Sequence, residues 1–84
     1  MRRRHRRTLE RMGSTPTPAD IRWAEVESLL NALGIELVER SGSRVQLFKG
    51  NESIVVHRPH PGPETRRDTV RDIVRFIERV SGAD

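Results

Sequence analysis

One stretch, residues 44–57, constrains the fold of this 84-residue chain more than any other. Two runs of alternating character flank Gly50-Asn51, a dipeptide that is typical of a two-residue hairpin turn. Closing the turn there places Lys49 opposite Glu52, a favourable cross-strand ion pair. A shift of one residue would mix the two faces, so the pattern predicts this register. The register sets four aliphatic side chains on one face: Val45, Leu47, Ile54 and Val56.

The same register brings reactive groups together at the open end of the hairpin. Arg44 falls opposite His57, on the face that does not carry the aliphatic residues. The chain continues into a proline-rich loop, residues 58–62, that contains a second imidazole, His60. An imidazole with a pKa near 6.5 can exchange protons with a ribose hydroxyl, so His57 and His60 are the catalytic candidates. The alternative interpretation makes them an ordinary strand residue and an ordinary loop residue.

The flanking segments predict two helices and one more strand. Apolar residues recur at three- and four-residue steps over residues 20–33, and Gly34 follows as a helix stop. Residues 35–40 form the first strand, where Leu37 and Val38 cannot both point inward, so we expect a bulge. Residues 65–68 match a capping box, and a second apolar stripe follows to Val80. The fold class is therefore α+β, with a helix, a three-stranded antiparallel sheet and a second helix.

The basic charge is concentrated in the N-terminal segment. The net charge of +4 divides into +5 for residues 1–12, which hold six arginines and one glutamate, and −1 for the rest. We expect residues 1–19 to form a disordered basic tail and a proline-rich linker that folding does not need, followed by the domain at residues 20–82. The tail is either a solubilising segment or a weak, salt-sensitive contact for nucleic acid.

Composition excludes several functional classes. The chain has no cysteine, which excludes disulfides and thiolate metal sites and fits a reducing compartment, so we expect a cytoplasmic protein. No apolar run is long enough to cross a membrane. His57 and His60 lack acidic residues at metal-binding spacing, so we predict neither a metal nor another cofactor. Only three aromatic residues are present, which argues against a platform that stacks nucleotide bases.

Basic residues around the hairpin indicate an RNA ligand. Guanidinium groups bind phosphates through paired hydrogen bonds, and a helix beginning near residue 65 adds backbone donors. The predicted phosphate-binding residues are Ser43, Arg44, Lys49, Arg58, Arg66 and Arg67.

The order of these motifs resembles the HicA toxins of bacterial type II toxin–antitoxin pairs. The matching segments are residues 23–34, Gly42-Ser43, residues 55–62 and residues 69–80. The resemblance implies a fold like the double-stranded-RNA-binding domain, a ribosome-independent mRNA endonuclease activity, and a HicB-like antitoxin as partner. It also implies a catalytic histidine directly after the Gly-Ser turn, where this chain has Arg44, and a second histidine at His60. That departure leaves two alternatives beside the endonuclease: a non-catalytic RNA-binding module, or a partner in protein interactions.

Overall fold

The computed structural model describes residues 1–59 and 62–82, which form three helices and one sheet. The α-β-β-β-α order predicted for the domain is confirmed, and a further helix precedes it. In chain order the elements are α1 (Arg3–Met12), α2 (Trp23–Ala32), β1 (Glu36–Glu39), β2 (Arg44–Lys49), β3 (Glu52–His57) and α3 (Arg67–Ser81).

The sheet is antiparallel with the strand order β1-β2-β3, and the predicted hairpin register is confirmed at all six pairs. Gly50 adopts φ 59° at the turn, a left-handed conformation that glycine reaches without the steric cost of a Cβ. The predicted bulge in β1 is wrong: Leu37 pairs with Leu47 and Val38 with Gln46 in unbroken register. The regular strand is tolerated because Val38 is half-buried on the second face of the sheet.

The core lies between one face of the sheet and the helices. On that face Val45, Leu47 and Val56 are buried, while α2 packs against β1 and α3 against β3. The opposite face, called here the open face, carries the side chains of alternate residues and is covered by no described element. The helical residues that are wholly shielded from solvent are Val26, Leu29, Leu30, Val70, Ile73 and Phe76.

The N-terminal segment differs from the expected disordered tail. Residues 3–12 are helical, and α1 packs against α2 and α3. Its inward stripe consists of His5, Thr8 and Met12, at positions i, i+3 and i+7, with Met12 only 1% exposed. The high charge of the segment concealed this narrow stripe. In the linker Thr17 is buried as well, and its carbonyl accepts a 2.9 Å hydrogen bond from Arg67 Nε.

The predicted capping box at residues 65–68 is also wrong. α3 begins at Arg67, so Arg66 occupies the N-cap, and no side chain caps the helix from that position. The Thr65 N–H donates to the carbonyl of Ile21 at 2.7 Å, which fixes Thr65 inside the domain instead. Its side chain is 1% exposed, and its hydroxyl has no hydrogen-bond partner among the described residues. Asp68 takes over part of the capping by accepting the N–H of Thr69 at 2.9 Å.

Candidate functional site

Three basic side chains occupy adjacent positions on three strands at the open end of the hairpin. Arg44 pairs with His57, as the sequence predicted, which brings their Cβ atoms to about 5 Å from each other. On the other side of β2 the N–H of Arg40 donates to the carbonyl of Arg44 at 2.8 Å, which continues the β1–β2 pairing by one residue. All three residues are exposed on the open face. We call Arg40, Arg44 and His57 the open-face cluster.

Hydrogen bonds hold both guanidinium groups of the cluster. Arg44 donates through Nη2 to Ser41 Oγ at 2.7 Å and through Nε to the Ser41 carbonyl at 3.2 Å. Arg40 donates through Nε to Gln46 Oε1 at 3.0 Å, and Gln46 donates in turn to Ser53 Oγ at 3.3 Å. Each guanidinium carries five N–H donors, so both retain donors for a ligand. The arginines are thus oriented without being neutralised by a carboxylate of the described part of the chain.

The His57 imidazole is the one group of the cluster that exchanges protons near neutral pH as an isolated side chain. It makes no hydrogen bond to any described residue, and its side chain is exposed to solvent. Beyond it on the open face lie Val55, which is 53% exposed, and the half-buried Phe48. This arrangement allows a ligand to reach the ring from the open face without displacing a hydrogen bond to any described residue.

Ser43 and Arg58 lie at the same end of the hairpin but are outside the open-face cluster. The Arg58 N–H donates to the Ser43 carbonyl at 2.9 Å, which extends the β2–β3 pairing beyond the strands. Alternation along β3 places the Arg58 side chain on the helix-covered side of the sheet, opposite to that of His57. There its Nη1 contacts Glu39 Oε2 at 3.0 Å. Arg58 therefore follows His57 in sequence, but its side chain lies on the opposite face of the sheet from the open-face cluster.

The structure separates Lys49 from the other predicted site residues. Five residue steps along β2 place it about 17 Å from Arg44. Its Nζ donates to the carbonyl of Leu33 at 3.1 Å, at the C-terminal end of α2. The predicted ion pair with Glu52 is not formed either, since Glu52 accepts from Arg79 Nε at 2.9 Å. The positions pair as expected, but both side chains find partners on the helices.

Arg66 and Arg67 start α3 and have internal partners. Because Arg79 near the end of α3 contacts the hairpin turn, the beginning of α3 lies at the open end of the hairpin. Arg66 contacts both carboxylate oxygens of Asp68, at 3.1 and 3.3 Å, and this hydrogen bonding lowers the pKa of Asp68. Arg67 donates to the linker as described above.

Three further points bear on the sequence predictions. His60 lies outside the described residues, so its catalytic role stays a prediction. Arg40 was missed, although extending the antiparallel register of β1 by one residue would have placed it beside Arg44. No group of three or more His, Asp or Glu side chains that could hold a metal ion occurs within residues 1–59 and 62–82.

The fold and this surface define a small α+β domain that is consistent with the architecture of double-stranded-RNA-binding domains and presents a basic cluster on its open sheet face. A family model described as the HicA toxin of bacterial toxin–antitoxin systems matches residues 23–78. The chain therefore belongs to the HicA toxin family. Comparison with curated proteins and with solved structures found no significant match. Helix α1 lies outside the matched residues, and no helix in the described part of the chain is long and apolar enough to cross a membrane.

Proposed function

We propose that this HicA family protein acts as a toxin by binding mRNA at the open-face cluster and cleaving it there. The observation that carries the proposal is the row of Arg40, Arg44 and His57 across three adjacent strands. Two oriented guanidinium groups beside an imidazole suit a phosphodiester, which offers anionic oxygens next to a hydroxyl that can be deprotonated. No carboxylate on the same face pairs with either arginine among the described residues.

In the proposed reaction His57 removes the proton of a ribose 2′-hydroxyl. The resulting oxygen attacks the adjacent phosphorus, the bond to the 5′ oxygen breaks, and that oxygen leaves with a proton from solvent. The product is a 2′,3′-cyclic phosphate. Arg44, and Arg40 beside it, stabilise the negative charge that develops on the non-bridging oxygens. Both arginines are already oriented by neutral partners, Ser41 and Gln46, so little reorganisation accompanies the reaction.

A second candidate function is RNA binding without cleavage. It is favoured by Arg44 itself, which stands after Gly42-Ser43 where the family resemblance implies the catalytic histidine. It is favoured too by His57, whose ring has no hydrogen-bond partner among the described residues to orient it as a base. In this alternative the toxin would act by occupying mRNA.

Membership of a toxin–antitoxin family implies an antitoxin partner. We propose that this partner is a HicB-like protein and that the toxin acts in the cytoplasm, where mRNA is accessible. Co-expression with a HicB-like protein, followed by purification through a tag on that protein, should recover the toxin as a stable complex. If the two proteins do not copurify, the assignment of the partner is contradicted.

The test of cleavage compares purified variants on a labelled single-stranded RNA. His57→Ala should reduce the cleavage rate by about 10²–10⁴-fold, as removal of a general base does, while leaving RNA affinity unchanged. Arg44→Ala should weaken both affinity and cleavage, because it removes charge-assisted phosphate contacts. Val55→Ala is the matched control, since it changes an exposed residue two positions before His57 on the same strand and face.

Arg44→His separates the two candidate functions. If the natural protein binds RNA without cutting it and Arg44→His cuts, the chain is a non-cleaving binder. If the natural protein cuts and His57→Ala cuts equally fast, the cluster is not the catalytic site. His60→Ala, measured beside it, tests the role that the sequence predicts for His60.

A further inference from the structure

Helix α1 and the residue that precedes it present five arginines to solvent. Arg2, Arg3, Arg4, Arg6 and Arg7 are all exposed, and none contacts a carboxylate of a described residue. The sixth arginine of the segment, Arg11, pairs with Asp20, which lies just after the linker. We call the five unpaired residues the α1 arginine surface. Their charges are the main source of the net positive charge of the protein.

The charge distribution in α1 is unfavourable for an isolated helix. Its first turn contains no acidic residue, although the positive end of the helix dipole lies there. Arginines three and four positions from each other, such as Arg3 with Arg6 and Arg7, repel one another. Repulsion of this kind is relieved when an anionic polymer binds across the helix. The surface therefore has the electrostatic character of a polyanion contact.

Packing fixes this surface in position. Met12 enters the core, and His5 Nε2 lies 2.7 Å from Ser28 Oγ on α2. Both apolar residues of α1 pack inward, since Met12 belongs to the core and Leu9 packs against it. A helix that binds a membrane surface needs an apolar face for insertion, and α1 has none left. A phosphate backbone requires only the exposed charges, so the chemistry favours a nucleic acid over an anionic lipid surface.

We propose that the α1 arginine surface is a second RNA contact, which binds the phosphodiester backbone of RNA engaged at the open-face cluster. The inference rests on the proposed function in taking RNA as the ligand. Because α1 packs on α2 and α3, its arginines lie on the helical side of a molecule that measures 37 × 29 × 21 Å. Only an RNA long enough to pass around the domain reaches both surfaces. Simultaneous engagement then raises the affinity for long RNA and not for short RNA.

The experiment measures the binding of a long unstructured RNA and of a hexanucleotide as a function of salt concentration. The test variant is Arg4→Gln/Arg7→Gln, which keeps helix propensity close to that of arginine. The control is Arg75→Gln/Arg79→Gln, which removes the same charge from exposed positions on α3, where the two arginines pair with Asp72 and Glu52. Circular dichroism verifies that each variant is folded.

The test variant should flatten the plot of log affinity against log salt for long RNA by about 1.4, because each lost phosphate contact on a single strand contributes about 0.7. With equal affinities at 1 M salt as the reference, this slope change corresponds to about 25-fold weaker binding at 0.1 M salt. The control variant on long RNA and the test variant on the hexanucleotide should both show much smaller changes in slope and in affinity. A test variant that matches its control on long RNA would overturn the proposal. So would loss of binding to anionic vesicles in the test variant with RNA binding unchanged.

The same data separate this proposal from the proposed function. If the natural protein cleaves no RNA but the test variant alone loses salt-dependent affinity for long RNA, the α1 contact stands and the nuclease assignment fails. If cleavage depends on His57 while both pairs of arginines are equivalent on long RNA, the nuclease assignment stands and the α1 contact fails.

Discussion

Met12→Ala tests whether α1 is part of the folded domain. The side chain is 1% exposed and belongs to the core, so its truncation should cost about 2–5 kcal/mol of unfolding free energy. An 84-residue domain has a total stability of roughly 4–13 kcal/mol, so the loss is a large fraction of it. Even the lower value, about 2 kcal/mol, should reduce Tm by roughly 8–16 °C in a domain of this size.

The assay is urea unfolding followed by tryptophan fluorescence. Trp23 is the single tryptophan of the chain and is 9% exposed at the start of α2, so its emission reports on the packed state. Val55→Ala is the control, because it truncates an aliphatic side chain at a residue that is 53% exposed. If the two variants differ in unfolding free energy by less than about 0.5 kcal/mol, the range for ordinary surface substitutions, α1 does not contribute to the core. The α1 arginine surface would then lose its fixed position.

Three further predictions concern stability. Burial, followed by the charges of nearby arginines and of the N-terminal amine, lowers the pKa of His5, so the unfolded chain binds the proton more readily. The free energy of unfolding should therefore be highest above about pH 6.5 and decrease as the pH falls below that value. Urea unfolding across this range should show a weaker pH dependence for His5→Gln than for the natural protein. Leu30→Ala and Ile73→Ala, both at residues 0% exposed, should each cost about 2–5 kcal/mol in urea unfolding, whereas Val55→Ala should cost little. Lys49→Ala should remove about 0.5–1.5 kcal/mol with its hydrogen bond to the end of α2, and RNA titration should show unchanged affinity at the open-face cluster.

The hairpin shows what local pattern can predict. Its strands are joined by two residues, so period-2 alternation and the turn dipeptide determine every pair, including Arg44 with His57. The two amphipathic helices of the domain were predicted for the same reason, because their apolar periodicity is a property of consecutive residues. Helix boundaries were less well determined, since Thr65, the predicted cap of α3, donates its N–H to the distant carbonyl of Ile21 and does not cap the helix.

The amino-acid sequence by itself determined the α-β-β-β-α order, the hairpin register and the proximity of one arginine to one histidine. Only the tertiary structure decided which residues complete and surround that pair. Arg40 lies beside the pair because β1 continues in regular register, and the amine of Lys49, at the turn end of the hairpin, binds the C-terminal end of α2. The packing of α1 likewise depends on the surfaces of α2 and α3 that it contacts. The sequence of α1, a run of arginines with one narrow inward stripe, does not by itself predict that contact. Contacts between distant segments depend on where the whole chain places each surface, and no local periodicity carries that information.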